Sequence, residues 1–450
     1  MVKIVAYNEK QDCEHLLGKF LDDSHYDLLV EEDMDFYDIT GDITGETSEK
    51  NIIFKFRKGV FSEQQQQDAY DGLFDSTLAE SQNRGLASGP RGKTQAGSQG
   101  KEESGRQWAT AHQIKILKEL QSNSLEYDAL KIITQEEDKE AAARGQVWVR
   151  TPLAELDFIS SYDTLWPDFV EHIKQNKDNL EVILESSKRM EKCVSKTSYA
   201  NPVHSAIVGF FDRYPRYPYA RVCNYNQNNP ELFEQSFSFF RKLNEEFQNL
   251  LPQRHSKQKE AADSIDSRYL VGGDTVFTTV TTNRNFRTAA HRDAGDLTEG
   301  FSNLCVVAKE KDWEGGYLVL PEFRVAVNIR PGDLLLINNH EGIHGNTEIR
   351  PMDGKSIDEM ERISLVSYFR EKMLETGEKE YEDIRKEFIE SRRLNPDHPN
   401  WFPKWNGVTP GVFYTDEWKE FLLSQDRGEE FLQKYHPDLQ DEDSLDSLFD

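Results

Sequence analysis

The chain has 450 residues, enough for two or three domains or one elaborated domain. Its 54 Lys and Arg stand against 81 Asp and Glu, a net charge of −27, which argues against strong non-specific affinity for nucleic acid but leaves room for a local basic groove. Four scattered cysteines without a C-x-x-C pair argue against a zinc site or a disulfide framework. No apolar run reaches the roughly 18 residues of a membrane span, and MVKIVAYNEK lacks a signal-peptide apolar region, so the chain reads as soluble and intracellular.

Residues 1–61 hold short strand-like runs, VKIVAY, YDLLV and NIIFKF, separated by acidic turns. They read either as a small α+β module or as strands flanking a later sheet. Residues 62–106 turn Gln-, Gly-, Ser- and Arg-rich, which reads as a flexible loop. The sharper alternative is a basic loop (Arg84, Arg91, Lys93, Lys101, Arg106) that orders on nucleic acid. Helices are expected over Trp108–Leu120, Ser124–Arg144, Ser160–Lys174 and Asp178–Cys193, with a strand at Val147–Val149.

The run FFDRYPRYPYARVCNYNQNN (residues 210–229) reads as irregular packing or as a wall of a substrate cleft. Asn229-Pro230 opens a helix with Phe233, Phe237, Phe240, Phe247 and Leu250 on one stripe, and Pro252 is expected to end it. Arg254–Arg268 reads as exposed, with His255 on the surface.

From Thr275 to Arg370 the pattern is short β-rich or apolar runs cut by Gly, Pro and Asp. It predicts a sandwich or jelly roll. His291-x-Asp293 places two metal-ligand types on one face of an extended segment, because strand side chains alternate. A third ligand must come from elsewhere, and His344, just after the Leu334–Ile337 run, is the best candidate, with His340 after the same run as its competitor. Two His and one carboxylate form the facial triad of non-haem Fe(II) oxygenases. Such a metal needs an electron source, for which 2-oxoglutarate is usual, and its distal carboxylate calls for an Arg. Arg362, heading the run RISLVSYF, is placed for that.

The runs NRNFRTAAHRDAGD, IHGNTEI and RISLVSYF resemble the TET/JBP family of Fe(II)- and 2-oxoglutarate-dependent dioxygenases, over roughly Tyr225 to Arg370. The resemblance implies an α+β protein with a double-stranded β-helix (jelly-roll) core backed by helices, with N- and C-terminal extensions. It implies oxidation of the 5-methyl group of 5-methylcytosine or thymine in DNA. By position, His291, Asp293 and His344 would bind Fe(II), with ascorbate supporting activity. Arg362 and Ser364 would hold 2-oxoglutarate, with Arg287 as a second cation. Asp296 would touch the target base and Tyr368 would stack on it once flipped. Arg370 stands where animal members carry a pocket His, and their Cys-rich region is absent. The alternatives are the same chemistry on a protein side chain or small molecule, favoured by the acidic balance, and a binding module without turnover.

On this reading the oxygenase core with its helical layer covers 107–375. A charged helical extension follows over 376–437, with Glu371–Leu394, which runs into it, as a solvated face and a Trp/Pro loop at 400–414. The acidic tail 438–450 could dock a short Leu-Phe peptide into a protein partner.

Overall fold

The computed structural model describes residues 2–41, 45–81, 84–90, 201–214, 216–309, 312–352, 354, 356–395, 408 and 411–439, together with the backbone of Arg106–Ala109, Lys131–Ile133 and Val147–Arg150. The chain divides into two units. The first comprises Met1–Arg91, Tyr199–Arg213 and Ala220–Lys379, and the second takes the rest.

The first unit is built on a nine-stranded sheet. In spatial order its strands are Lys3–Tyr7, Met34–Asp38, Ile52–Arg57, Leu334–Ile337, Ser302–Ala308, Arg362–Tyr368, Thr279–Arg284, Ser205–Phe211 and Arg221–Val222. A smaller sheet runs Gly345–Asn346, Leu318–Leu320, Val325–Val327, Leu28–Val30. Period-2 alternation sends alternate residues of the central strands to opposite faces. Leu304, Val306, Leu335 and Ile337 meet Leu318, Leu320, Val325 and Val327 of the smaller sheet in one apolar cluster. Cys305, Val307, Leu334, Leu336, Ile363 and Leu365 face the other way, onto helices. Both faces are covered, which is why Leu334–Ile337 is apolar at every position.

The segment 1–61 is therefore no separate module. Its strands extend the main sheet through the pairing of Ile52–Arg57 with Leu334–Ile337, and Leu28–Val30 edges the smaller sheet. The Gln-rich stretch also differs from the expected loop. Glu63–Leu73 is an α-helix, and Ser62 and Gln65 form a reciprocal capping box at its start. Ala69, Tyr70 and Leu73 are buried against Phe239 and Phe240, while Gln64 and Gln67 bond Asp68 and Asp71 one turn on. Average composition conceals that apolar stripe.

The phenylalanine stripe backs the sheet as expected, but in two helices, Pro230–Gln235 and Phe237–Leu250, broken at Ser236. The second ends at Leu250, just before Pro252 as expected, and Pro252 then opens a further helix, Pro252–Asp263. On it His255 is buried, not exposed. It lies edge-on to Phe247, with Nε2 3.2 Å from Asn244 Oδ1.

In the second unit, Arg106–Ala109, Lys131–Ile133 and Val147–Arg150 form a three-stranded antiparallel sheet, so the positions expected as helix at Trp108 and Lys131–Ile133 are strand. The other expected helices before residue 199 lie outside the described residues. The helix Lys379–Leu394 carries a core of its own: Tyr381, Phe388 and Ile389 pack with Val412, Phe413, Trp418 and Phe431. Arg385 and Arg392, expected on a solvated face, are buried. Arg385 stacks 3.5 Å from the Phe413 ring centroid and donates to the Pro218 carbonyl at 2.8 Å. The peptide expected at 438–450 falls, past Leu439, outside the described residues.

Candidate metal centre and its cavity

His291 and His344 lie opposite each other in an antiparallel bridge, each backbone N–H donating to the other's carbonyl, at 2.9 and 3.0 Å. That register sets the two rings side by side, centroids 4.4 Å apart. Gly345 permits the approach, because a Cβ there would lie 3.0 Å from the backbone of Ala289 and Ala290. Asp293, two residues on, returns to the same face, and its N–H donates to the Asn339 carbonyl at 3.1 Å. One ligand atom from each of the three residues lies within 4.8 Å of the others. His340 is not in this group, and its buried Nδ1 has no partner among the described residues.

The ring orientations suit a metal. His291 Nδ1 is 2.8 Å from the Ala289 carbonyl and His344 Nδ1 is 3.1 Å from the Gly342 carbonyl. A proton on each Nδ1 leaves Nε2 with its lone pair toward the shared point. Without a cation that point holds a coupled set of charges. Burial pulls His291 down, but the Asp293 carboxylate, 3.3 Å from His291 Nε2, reverses this and leaves it raised. Burial and the charge of His291 push His344 down to about 4. Burial would raise Asp293, yet the two imidazoles hold it at about 2.

The triad opens into a cavity of about 360 Å³ whose walls include Arg362, Ser364, Asp296, Tyr368, Arg370 and Arg84. Arg362 is 4% exposed, and its Nε has no hydrogen-bond partner among the described residues. Its guanidinium sits 5.6 Å from the Trp313 ring centroid. Burial, then repulsion from Arg330, lowers it to about 10. Gly316 runs alongside at a φ of 69°, where a Cβ would come 3.8 Å from an Arg362 terminal nitrogen. Ser364 follows Arg362 on the same strand face.

Beyond the triad, Asp296 accepts a hydrogen bond from Ser302 Oγ at 2.7 Å. Burial, then the charge of Asp293, lifts it to about 7. Burial likewise raises Tyr368 to about 12. Arg287 is not brought to the cavity. It donates to the Leu21 carbonyl at 2.8 Å and stacks 4.6 Å from the Phe20 ring centroid. Nor do the described residues of the Tyr/Pro-rich run 210–229 line it. Arg84, Asn283 and Asn346 do, and sequence reasoning assigned none of them a place there. Asn283 had a readable signal as a polar residue within a β-branched strand; Arg84 lay in a stretch read as a loop.

Residues 208–371 match the family model Tet_JBP, the oxygenase domain of the 2OGFeDO superfamily. The chain is 34% identical over 190 residues to the bifunctional helicase and thymine dioxygenase JBP2 of Leishmania braziliensis, covering 42% of this chain and 16% of that protein. It is 31% identical over 229 residues to JBP2 of Trypanosoma brucei brucei, covering 50% and 20%. To the thymine dioxygenase JBP1 of L. braziliensis it is 28% identical over 210 residues, covering 45% and 24%. The chain thus spans less than a quarter of the length of each. Among solved structures, NgTET1 in complex with 5mC DNA aligns with a TM-score of 0.30 at 18% identity, over 41% of this chain and 69% of that one. Over residues 208–371 the chain is thus similar to the Tet_JBP oxygenase domain of the 2OGFeDO superfamily.

Proposed function

We propose that the protein is an Fe(II)- and 2-oxoglutarate-dependent dioxygenase of the 5-methyl group of a pyrimidine in DNA, with a double-stranded β-helix core. Thymine is the first candidate base, because the relatives sharing 28–34% identity are named as thymine dioxygenases, and 5-methylcytosine is the second. One observation carries the reading. A buried guanidinium without a carboxylate partner among the described residues shares a cavity with a His-Asp-His cluster. An uncompensated buried cation is costly, so the arrangement calls for an anion to complete it.

The residues present fit both groups. Two imidazole nitrogens and one carboxylate suit a divalent cation with open positions. Arg362, with the Ser364 hydroxyl beside it, would bind the distal carboxylate of 2-oxoglutarate. When bound, iron and co-substrate supply the two-electron oxidation of a methyl C–H bond by dioxygen, releasing succinate and carbon dioxide. The chain's own part is to bind, orient and exclude. The Nδ1 contacts to Ala289 and Gly342 hold both imidazoles in one tautomer. Tyr368 offers a ring on which a flipped base would stack, and Asp296, near neutrality at about 7, offers a proton to the base edge. Apolar walls from Leu304, Val306 and Leu318 keep water from the reacting methyl.

The test is mass spectrometry of nucleosides from thymine- and 5-methylcytosine-containing DNA, after incubation with protein, Fe(II), 2-oxoglutarate and ascorbate. Hydroxymethyl or formyl pyrimidine, absent with His291→Ala, is the expected result and identifies the base. Succinate without any modified nucleoside would keep the oxygenase and move its substrate to a protein side chain or small molecule, the reading that the net charge of −27 favours. No succinate would end the proposal.

A further inference from the structure

Four arginines line the cavity: Arg84, Arg292, Arg362 and Arg370. Arg292 is paired with Glu14 at 2.6 Å and Arg370 with Asp212 at 2.7 Å. Arg362 is matched to the co-substrate. Arg84 remains, its buried Nε without a hydrogen-bond partner among the described residues. It comes from a segment that precedes the matched oxygenase domain, 208–371.

The segment is held in place against that domain. Residues 85–88 form a short turn closed by Ser88 Oγ donating to the Gly85 carbonyl at 2.8 Å. Asn201 grips it from outside, its Nδ2 donating to the Ser88 carbonyl at 2.8 Å and its N–H to Ser88 Oγ at 3.1 Å. The Ala289 N–H donates to the Ala87 carbonyl at 2.8 Å, and the Ala289 carbonyl in turn bonds the imidazole of His291. One residue therefore links this turn to a metal-ligand candidate. Gly85 and Leu86 are exposed while Ala87 and Ser88 are buried, so Arg84 stands at the rim and reaches inward.

Burial lowers its basicity, and the titratable groups near enough to act on it are Tyr368, Asp293 and Arg370. Tyr368 closes the strand that Arg362 opens, and seven residues of strand separate the two ends by about 20 Å. Arg84 thus serves the end of the cavity where a base would stack. The Asp293 carboxylate belongs to the metal-ligand cluster, so a half-buried guanidinium there needs another anion to offset its lost hydration, and a base carbonyl is neutral. The anion that DNA carries is its phosphate.

Resting on the function proposed above, we propose that Arg84 is a substrate-binding residue that clasps a backbone phosphate flanking the flipped pyrimidine. The turn before the oxygenase domain then completes the nucleic-acid site.

The test uses the full chain with duplexes carrying one target base. Each flanking phosphate is replaced in turn by a neutral methylphosphonate, and both binding by anisotropy and kcat/KM are read. Arg84→Ala is expected to weaken binding and kcat/KM about 10- to 100-fold on all-phosphate DNA, with Arg84→Lys recovering part of it. The log–log salt slope of binding should fall by about 0.9. One methylphosphonate position should cost the parent protein the same factor and cost Arg84→Ala nothing further. If Arg84→Ala unfolds, the Arg84→Lys variant against the same methylphosphonate series carries the comparison. Full activity in Arg84→Ala, or losses that simply multiply at every phosphate, would overturn the inference while leaving the dioxygenase reading intact. A parent protein that oxidises no DNA would overturn both.

Discussion

Arg362 is a cation that the protein buries at a cost, and on the proposed function the carboxylate of 2-oxoglutarate neutralises it. Arg362→Met should therefore weaken 2-oxoglutarate binding by about 100-fold, roughly 3 kcal/mol, while the ligand-free protein becomes no less stable. Calorimetry of 2-oxoglutarate binding alongside thermal unfolding checks both halves; a large drop in melting temperature would reveal a structural role instead. The imidazoles make a second prediction at this scale. His291 is raised above its ordinary value by Asp293, so the His291–Asp293 ion pair of the metal-free protein stabilises it below that ordinary value and is lost as pH rises through the raised one. Metal binding has the opposite sign, because it must displace that proton. Mn(II) affinity should rise by about one proton's worth per pH unit from mildly acidic pH up to the raised His291 value, then level off. A flat profile measured by titration would remove the proton from His291. His344, held at about 4, is already neutral across that range and adds no slope.

Among the elements, the bridge between His291 and His344 carries the site. Two backbone hydrogen bonds fix their register, and Gly345 lets the strands come that close. Gly345→Ala must push back the Ala289–Ala290 backbone, which should cost about 1–3 kcal/mol of stability and separate the imidazoles. Mn(II) affinity should fall more steeply than stability alone accounts for, and unchanged affinity would show that the bridge tolerates the methyl group. The bridge also explains why His344, and not His340, joins the cluster. Both follow the Leu334–Ile337 strand, but His344 alone pairs in register with His291.

For the whole molecule, the two units hold separate apolar cores. Trp418 is fully buried among Tyr381, Phe388 and Phe413 in the second. Trp418→Ala should cost that core about 3–5 kcal/mol. A thermal scan should then show an earlier transition, with Mn(II) affinity at the His-Asp-His cluster unchanged. Loss of metal binding in step with that transition would mean that the units unfold as one.

What the amino-acid sequence determined by itself was whatever depends on neighbours along the chain. His291-x-Asp293 could be read because alternation in an extended segment puts the pair on one face whatever surrounds it. The strands from Thr275 to Arg370 could be read because β-branched and apolar runs cut by Gly and Pro favour extended backbone locally. The phenylalanine stripe of Phe237–Leu250 was legible for the same reason. The tertiary structure alone decided what depends on partners distant in sequence. It placed Leu28–Val30 beside Val325–Val327 and Ile52–Arg57 beside Leu334–Ile337, joining the first 61 residues to the core. It buried His255, Arg385 and Arg392, whose local sequence is polar, because packing supplied them with ring, carbonyl and carboxylate partners such as Phe413, Pro218 and Glu417. It turned Arg287 to Leu21 and Phe20 and brought Arg84 to the cavity. An arginine's side chain is long and its charge is satisfied by whatever anion, carbonyl or ring the fold brings within reach. Its residue type announces a cation, and only the folded chain settles what that cation faces.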